Sequence, residues 1–153
     1  MEAAIDMAEA GHLVIGTLHT KSCAETIDRM INFYDVGDQA TIKGLLSVLL
    51  KIVVSQRLLK SERTNGLVLV PEVMVVDNVV SACLRKEKIS TSEIEDALQG
   101  AADKGSISLM NSLAKLYIEG KLTLTQIKGQ IDEKNHESLN RTIMQMQARR
   151  GIK

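Results

Sequence analysis

Aromatic residues are almost missing: no tryptophan, one phenylalanine (Phe33) and two tyrosines (Tyr34, Tyr117) in 153 residues. A base-stacking surface for single-stranded nucleic acid has nothing to build on. Net charge is missing as well. Nineteen Lys and Arg balance nineteen Asp and Glu, so no global basic field draws in nucleic acid or anionic lipid. Two cysteines, Cys23 and Cys83, are too few for a zinc cluster or a disulfide framework, and a reducing compartment is the default expectation. The longest apolar run, Leu45 to Val54, is broken by Ser47 and Lys51 and is too short to span a bilayer. The G-x-x-x-x-G-K-[ST] phosphate loop is absent, and no apolar strand ends in paired acids of the magnesium-binding kind. Length suits one domain, or a domain with an appendage.

What is present centres on Gly11 to Thr20, G-H-L-V-I-G-T-L-H-T. Leu13, Val14, Ile15 and Leu18 would cover both faces of an extended segment. That pattern predicts a strand buried on both faces in a parallel α/β sheet. Thr17, His19 and Thr20 then lie at its carboxyl end, the edge where open α/β sheets bind ligands. A helix over Met1–Ala10 precedes the run and Gly11 ends it. Ser22 and Glu25 have the spacing of a capping box for a helix striped by Ile27, Met30 and Ile31. A second helix is expected over Gln39–Gln56, with Leu45, Leu46, Leu49, Ile52 and Val53 on its apolar side.

Leu58–Lys60 and Leu67–Val76 read as strands joined through Asn65-Gly66, a hairpin signal. Pro71 argues for an edge or a bulge. From Asp77 the pattern turns helical. Asp77 can cap a helix bearing Val79, Val80, Cys83 and Leu84, with Arg85 and Lys86 in a basic last turn suited to the helix dipole. Ser92 and Glu95 suggest another capping box, Gly100 and Gly120 act as stops, and Thr123 is a candidate cap. Leu139, Ile143 and Met146 mark a last helix, and the tail Arg149, Arg150, Lys153 is expected to fray. The chain thus divides near residue 77 into an α/β part, 1–76, and an all-helical part, 77–153.

Two histidines invite a metal reading. At an odd spacing on a strand, however, His12 and His19 face opposite ways, and no Asp, Glu or Cys adjoins them to complete a shell. His12 reads as a hydrogen-bonded residue at a helix–strand junction, and His19 as a polar contact at the ligand edge. Cys23, near a helix start but without a visible base, reads as packing rather than as a nucleophile. Arg85 and Lys86 read as a solvated helix end or as a coupling surface.

A resemblance adds to this. A-E-A-G-H-L-V-I-G-T-L-H-T at 8–20, A-E-T-I-D-R at 24–29, V-S-Q-R-L-L at 54–59 and N-G-L-V-L-V-P-E-V-M at 65–74 resemble the type II/type IV secretion ATPases, most closely the PilT-type pilus retraction (twitching motility) motors. L-M-N-S-L-A-K-L-Y-I-E-G-K-L-T at 109–123 is similar to the family's Q-T-L-D-x-x-L-x-x-L-x-x-x-G-x-I-T. The resemblance implies the C-terminal half of a RecA-like P-loop ATPase core followed by a helical region. It implies a bacterial, cytoplasmic homo-hexamer that uses ATP and magnesium and works peripherally to the inner membrane, against a pilus or secretion platform protein. No nucleic acid and no direct membrane insertion are expected. His12 and His19 match the His box, with roles near the γ-phosphate and in subunit communication. Thr17, Thr20, Arg29 and Arg57 match nucleotide-edge or interface positions.

Lys21 stands where the family usually has Asn. The stretch V-V-S-A-C-L-R-K at 79–86 aligns with a family motif like A-I-R-E-L-I-R-E, keeping its last basic residue. Walker A, the acidic box and Walker B precede the His box in the family and are not in this chain. The chain alone is therefore expected not to hydrolyse ATP, although its parent family is one of ATPases. The competing reading is a non-catalytic helical module for protein interaction.

Overall fold

The computed structural model describes residues 1–100 and 104–151. The elements run α1 (Glu2–Glu9), α2 (Cys23–Asn32), α3 (Gln39–Leu49), β1 (Ile52–Lys60), β2 (Leu67–Val75), α4 (Asn78–Leu84), α5 (Thr91–Gly100), α6 (Leu109–Ile118), α7 (Leu124–Lys128), a 3-10 turn (Glu133–Asn135) and α8 (His136–Arg150). Among the described residues no helix is long and apolar enough to cross a membrane.

Local chemistry explains most helix starts. Ser22 Oγ accepts from the Glu25 amide at 3.1 Å, and the Glu25 carboxylate accepts from the Lys21 amide at 2.8 Å. Asp77 accepts from the amides of Val79 and Val80, each at 2.9 Å. Thr123 and Gln126 form a reciprocal capping box. Each satisfies backbone donors that the first helical turn leaves without a partner. The expected box at Ser92–Glu95 lies two residues earlier: Ser90 Oγ accepts from the Glu93 amide at 3.2 Å, and Glu93 accepts from the Ser90 amide at 3.1 Å. Both pairs have the required spacing. Thr91, as the first helical residue, selects Ser90 as cap.

Three other expectations are corrected. Gly11–Thr20 forms no strand. Among the described residues the one sheet holds β1 and β2, and Leu13 and Ile15 are each 86% exposed. Apolarity on both faces supplies the demand for burial, but a strand also needs a partner backbone. Helix α3 stops at Leu49, and Ile52–Gln56 belongs to β1. There the β-branched run Ile52-Val53-Val54 favours the pleat, and burial alternates, with Val53 and Ser55 inward. Arg149 and Arg150 are the last residues of α8 rather than a frayed tail; Lys153 lies outside the described residues.

The hairpin forms as expected, although its loop is longer than an Asn-Gly turn. The Ser61 amide donates to the Gly66 carbonyl at 2.8 Å. Ser61 Oγ gathers the amides of Arg63 and Thr64 at 3.1 and 3.0 Å, and Asn65 adopts a left-handed φ of 52°. At the other end the Val76 amide donates to the Lys51 carbonyl at 2.9 Å. The two ends share one register, which sets Ser55 directly opposite Glu72 on the inward face.

The chain forms two compact units, 1–55 with 72–107 and 56–71 with 108–153. This partition runs through the hairpin and differs from a division near residue 77. In the first unit Cys23, Ile27, Leu46, Val53, Met74, Val80, Leu84 and Leu98 form the core. In the second, Val70, Leu113, Leu122, Ile127 and Leu139 do so. Truncating a fully buried leucine such as Leu113 to alanine costs about 2–5 kcal/mol.

Candidate functional site

The residues of interest in Gly11–Thr20 sit on an exposed arm between α1 and α2. His12 is fixed at its start: its amide donates to the Met7 carbonyl at 3.0 Å and its ring Nδ1 lies 3.2 Å from the same oxygen. The hydrogen bond is the one expected of His12, but it joins a helix to an unpaired arm rather than to a strand. The side chains of Thr17 and His19 are exposed. Thr20 is half-buried, its hydroxyl 2.7 Å from that of Thr26.

Arg29 is brought to this arm. One turn along α2 its Nη1 donates to the His19 carbonyl at 3.1 Å. Arg57 belongs to the other compact unit, where its Nη1 donates to the Gln130 carbonyl at 3.0 Å. Arg85 and Lys86, expected as a solvated end of α4, are both engaged. Arg85 Nη1 donates to Ser47 Oγ at 3.3 Å, and Lys86 Nζ lies 2.6 Å from Glu93 Oε1. Lys43 of α3 donates to the Glu87 carbonyl just beyond, at 2.6 Å.

The arm ends against buried polar groups. The Cys23 amide donates to Glu72 Oε2 at 2.7 Å, and the Cys23 thiol donates to the carbonyls of Val53 and Glu72 at 3.5 and 3.6 Å. Burial, with the charge of Glu72 second, pushes that thiol up to about 12, so it is a packing group and no nucleophile. Glu72 was not among the residues picked from the sequence. Its signal is a carboxylate at an inward position of an alternating strand, between Val70 and Met74, where only apolar groups belong unless a partner waits. Among the described residues no group of three His, Cys, Asp or Glu is placed to hold a metal ion.

The family profile of the type II/IV secretion system proteins matches residues 1–146. The chain belongs to that family. It is 36% identical over 117 residues to a twitching motility protein of Neisseria gonorrhoeae, covering 76% of this chain and 31% of the relative. It is 33% identical over 120 residues to the type IV pilus retraction ATPase PilT of Pseudomonas aeruginosa, covering 78% and 34%. The crystal structure of the pilus retraction motor PilT with bound ADP superposes with a TM-score of 0.71 at 30% identity, over 88% of this chain and 37% of that one. The ATPase DotB of Legionella pneumophila shares the fold, with a TM-score of 0.67 at 20% identity over 83% and 34%. The chain thus spans about a third of the length of the curated relatives it matches.

Proposed function

We propose that the chain is the C-terminal half of the RecA-like core, with the helical region that follows, of a hexameric type IV pilus retraction or secretion ATPase. The observation that carries this reading is the exposed arm bearing Thr17 and His19, tied at its far end to Arg29 and α2, within a fold and sequence that follow a PilT structure. Imidazole, hydroxyl and guanidinium groups are hydrogen-bond donors, the chemistry that suits the terminal phosphates of ATP. Magnesium and the phosphate cradle fall to other parts of the motor, since the arm offers no carboxylate pair. In this reading His19 meets the terminal phosphate, and His12 fixes the arm's start and serves communication between subunits. The apolar residues Leu13 and Ile15 take a place in the sheet of the assembled core. ATP and magnesium belong to the assembled motor, which works in the cytoplasm against a pilus or secretion platform at the inner membrane.

The test is His19→Ala in the full-length ATPase. Turnover falls about 100-fold, the usual cost of one contact made in the transition state, while the Kd for ATP holds. Unchanged turnover with weakened ATP binding overturns the assignment. The 153-residue chain by itself turns over no ATP, because phosphoryl transfer needs both cradle and magnesium site; turnover above a blank would count against the reading.

A further inference from the structure

We propose that Glu72 is a positioning residue of the nucleotide site: its buried carboxylate pins the first residue of α2 and so sets where the His19 arm ends. The proposal rests on the reading of His19 as the phosphate-edge group.

Glu72 is 7% exposed and Cys23 is fully buried. The carboxylate oxygen Oε2 accepts from the Cys23 amide at 2.7 Å, a length expected when the acceptor is charged. That amide is the first of α2 and has no partner within the helix. Two other donors around this helix start are met locally, the Glu25 amide by Ser22 and the Lys21 amide by Glu25. The Glu72 carboxylate reaches in from a distant part of the sequence, 49 residues on. An acidic group at a helix N-terminus also gains from the helix dipole.

The consequence lies in the spacing. His19 is only four residues before Cys23. Two shorter ties, Arg29 to the His19 carbonyl and Thr20 to Thr26, fasten the arm to α2, but both partners ride on α2 itself. The bond from the Glu72 carboxylate fastens that assembly to the hairpin, beside the longer, weaker thiol bonds of Cys23 to the Val53 and Glu72 carbonyls. Ser55, directly across from Glu72, is 6% exposed and its hydroxyl is buried without a partner among the described residues, so no side chain of the facing strand position adds to the tie. Loosening the Glu72 bond lets arm and helix start shift together, and a displacement of about 1 Å at a reacting group can cost about 100-fold in rate.

The test compares Glu72→Ala, Glu72→Gln and His19→Ala in the full-length ATPase, with circular dichroism and thermal melting for each. Glutamine keeps a carbonyl acceptor for the Cys23 amide; alanine removes it. Glu72→Ala is expected to lower kcat about 10-fold or more with KM for ATP unchanged, and Glu72→Gln to restore most of it. A folded Glu72→Ala with normal kcat overturns the proposal. So does Glu72→Gln falling as far as alanine, which would make charge rather than the tie the operative property. If Glu72→Ala does not fold, Glu72→Asp, one methylene too short to reach, takes its place with the same expected loss and the same overturning result. Should His19→Ala leave turnover unchanged, the phosphate-edge reading falls and takes this proposal with it. Should His19→Ala act while a folded Glu72→Ala does not, only the positioning role falls.

Discussion

The guanidinium of Arg29 donates to the main-chain carbonyl of His19 across 3.1 Å. A helix side chain thereby holds the backbone of an arm that no sheet holds, and the histidine ring is left to point outward. Arg29→Ala should leave stability within about 0.5 kcal/mol, as for most exposed substitutions, because Arg29 lies at the surface. Turnover of the full-length ATPase should fall all the same. Arg29→Lys keeps the charge but loses the planar fork and should fall in between. Urea unfolding of the chain beside an ATPase assay checks both; a large stability loss would make Arg29 a structural residue.

Asp77 joins a helix cap to an ion pair. Its carboxylate is held below the usual aspartate range chiefly by the Lys104 ammonium, 2.8 Å away, and then by the amides of Val80 and Val79. A carboxylate whose native pKa is depressed contributes stability that is complete above its unfolded pKa, about 3.9 for Asp, and is lost as pH falls through the lower native value. Asp77→Ala should therefore cost about 1 kcal/mol at neutral pH, and less and less below about pH 4. Asp77→Asn keeps a capping oxygen and should retain much of the stability at neutral pH. Urea midpoints at pH 7 and pH 3 give the comparison; an alanine penalty equal at both would rule out the linkage.

Lys86 and Glu93 form an exposed pair at 2.6 Å. Glu93 is drawn down to about 2, first by the Lys86 ammonium and then by the amide and hydroxyl of Ser90. Titration of its side-chain carbon by NMR should show this, and Lys86→Ala should raise the value part of the way towards about 4.3, since Ser90 still donates. The same pair offers a test of whether the end of α4 is a coupling surface or a solvated cap. Arg85→Glu with Lys86→Glu removes the bond to Ser47 and opposes Glu93 with a like charge. In the full-length motor, near-normal ATP hydrolysis with impaired pilus function is expected. If hydrolysis and motility fall together, the segment is structural or catalytic; if neither falls, it is a solvated cap.

Both thiols should be silent in the native chain. Cys23 is pushed up to about 12 and Cys83 is raised as well, each mainly by burial, so neither provides thiolate at pH 8. A chromogenic disulfide reagent should react with two thiols in urea and with almost none without it. Fast native reaction at either would mean that the surrounding core opens readily.

Features that depend on neighbours in the sequence were legible from it. Ser22, Asp77 and Thr123 cap helices through bonds to residues two or three positions on, so spacing and side-chain type suffice. The hairpin and the stop at Gly120 were legible for the same reason. Where two local choices were equally good, as at Ser90–Glu93 and Ser92–Glu95, spacing alone could not select between them.

By itself, then, the sequence determined which segments are extended or helical in outline, which side chains cap them, and the family to which the chain belongs. Tertiary structure decided what those segments pair with. Ile52–Gln56 could have continued α3, and it is a strand because Leu67–Val75 lies beside it. Gly11–Thr20 has the composition of a buried strand, yet without a paired backbone it stays an exposed arm. The bond from Glu72 to Cys23 joins residues 49 apart in the chain. Such a contact has no periodicity to announce it, because it forms only after closing a long loop, and that cost is repaid by the whole core rather than by its own neighbours.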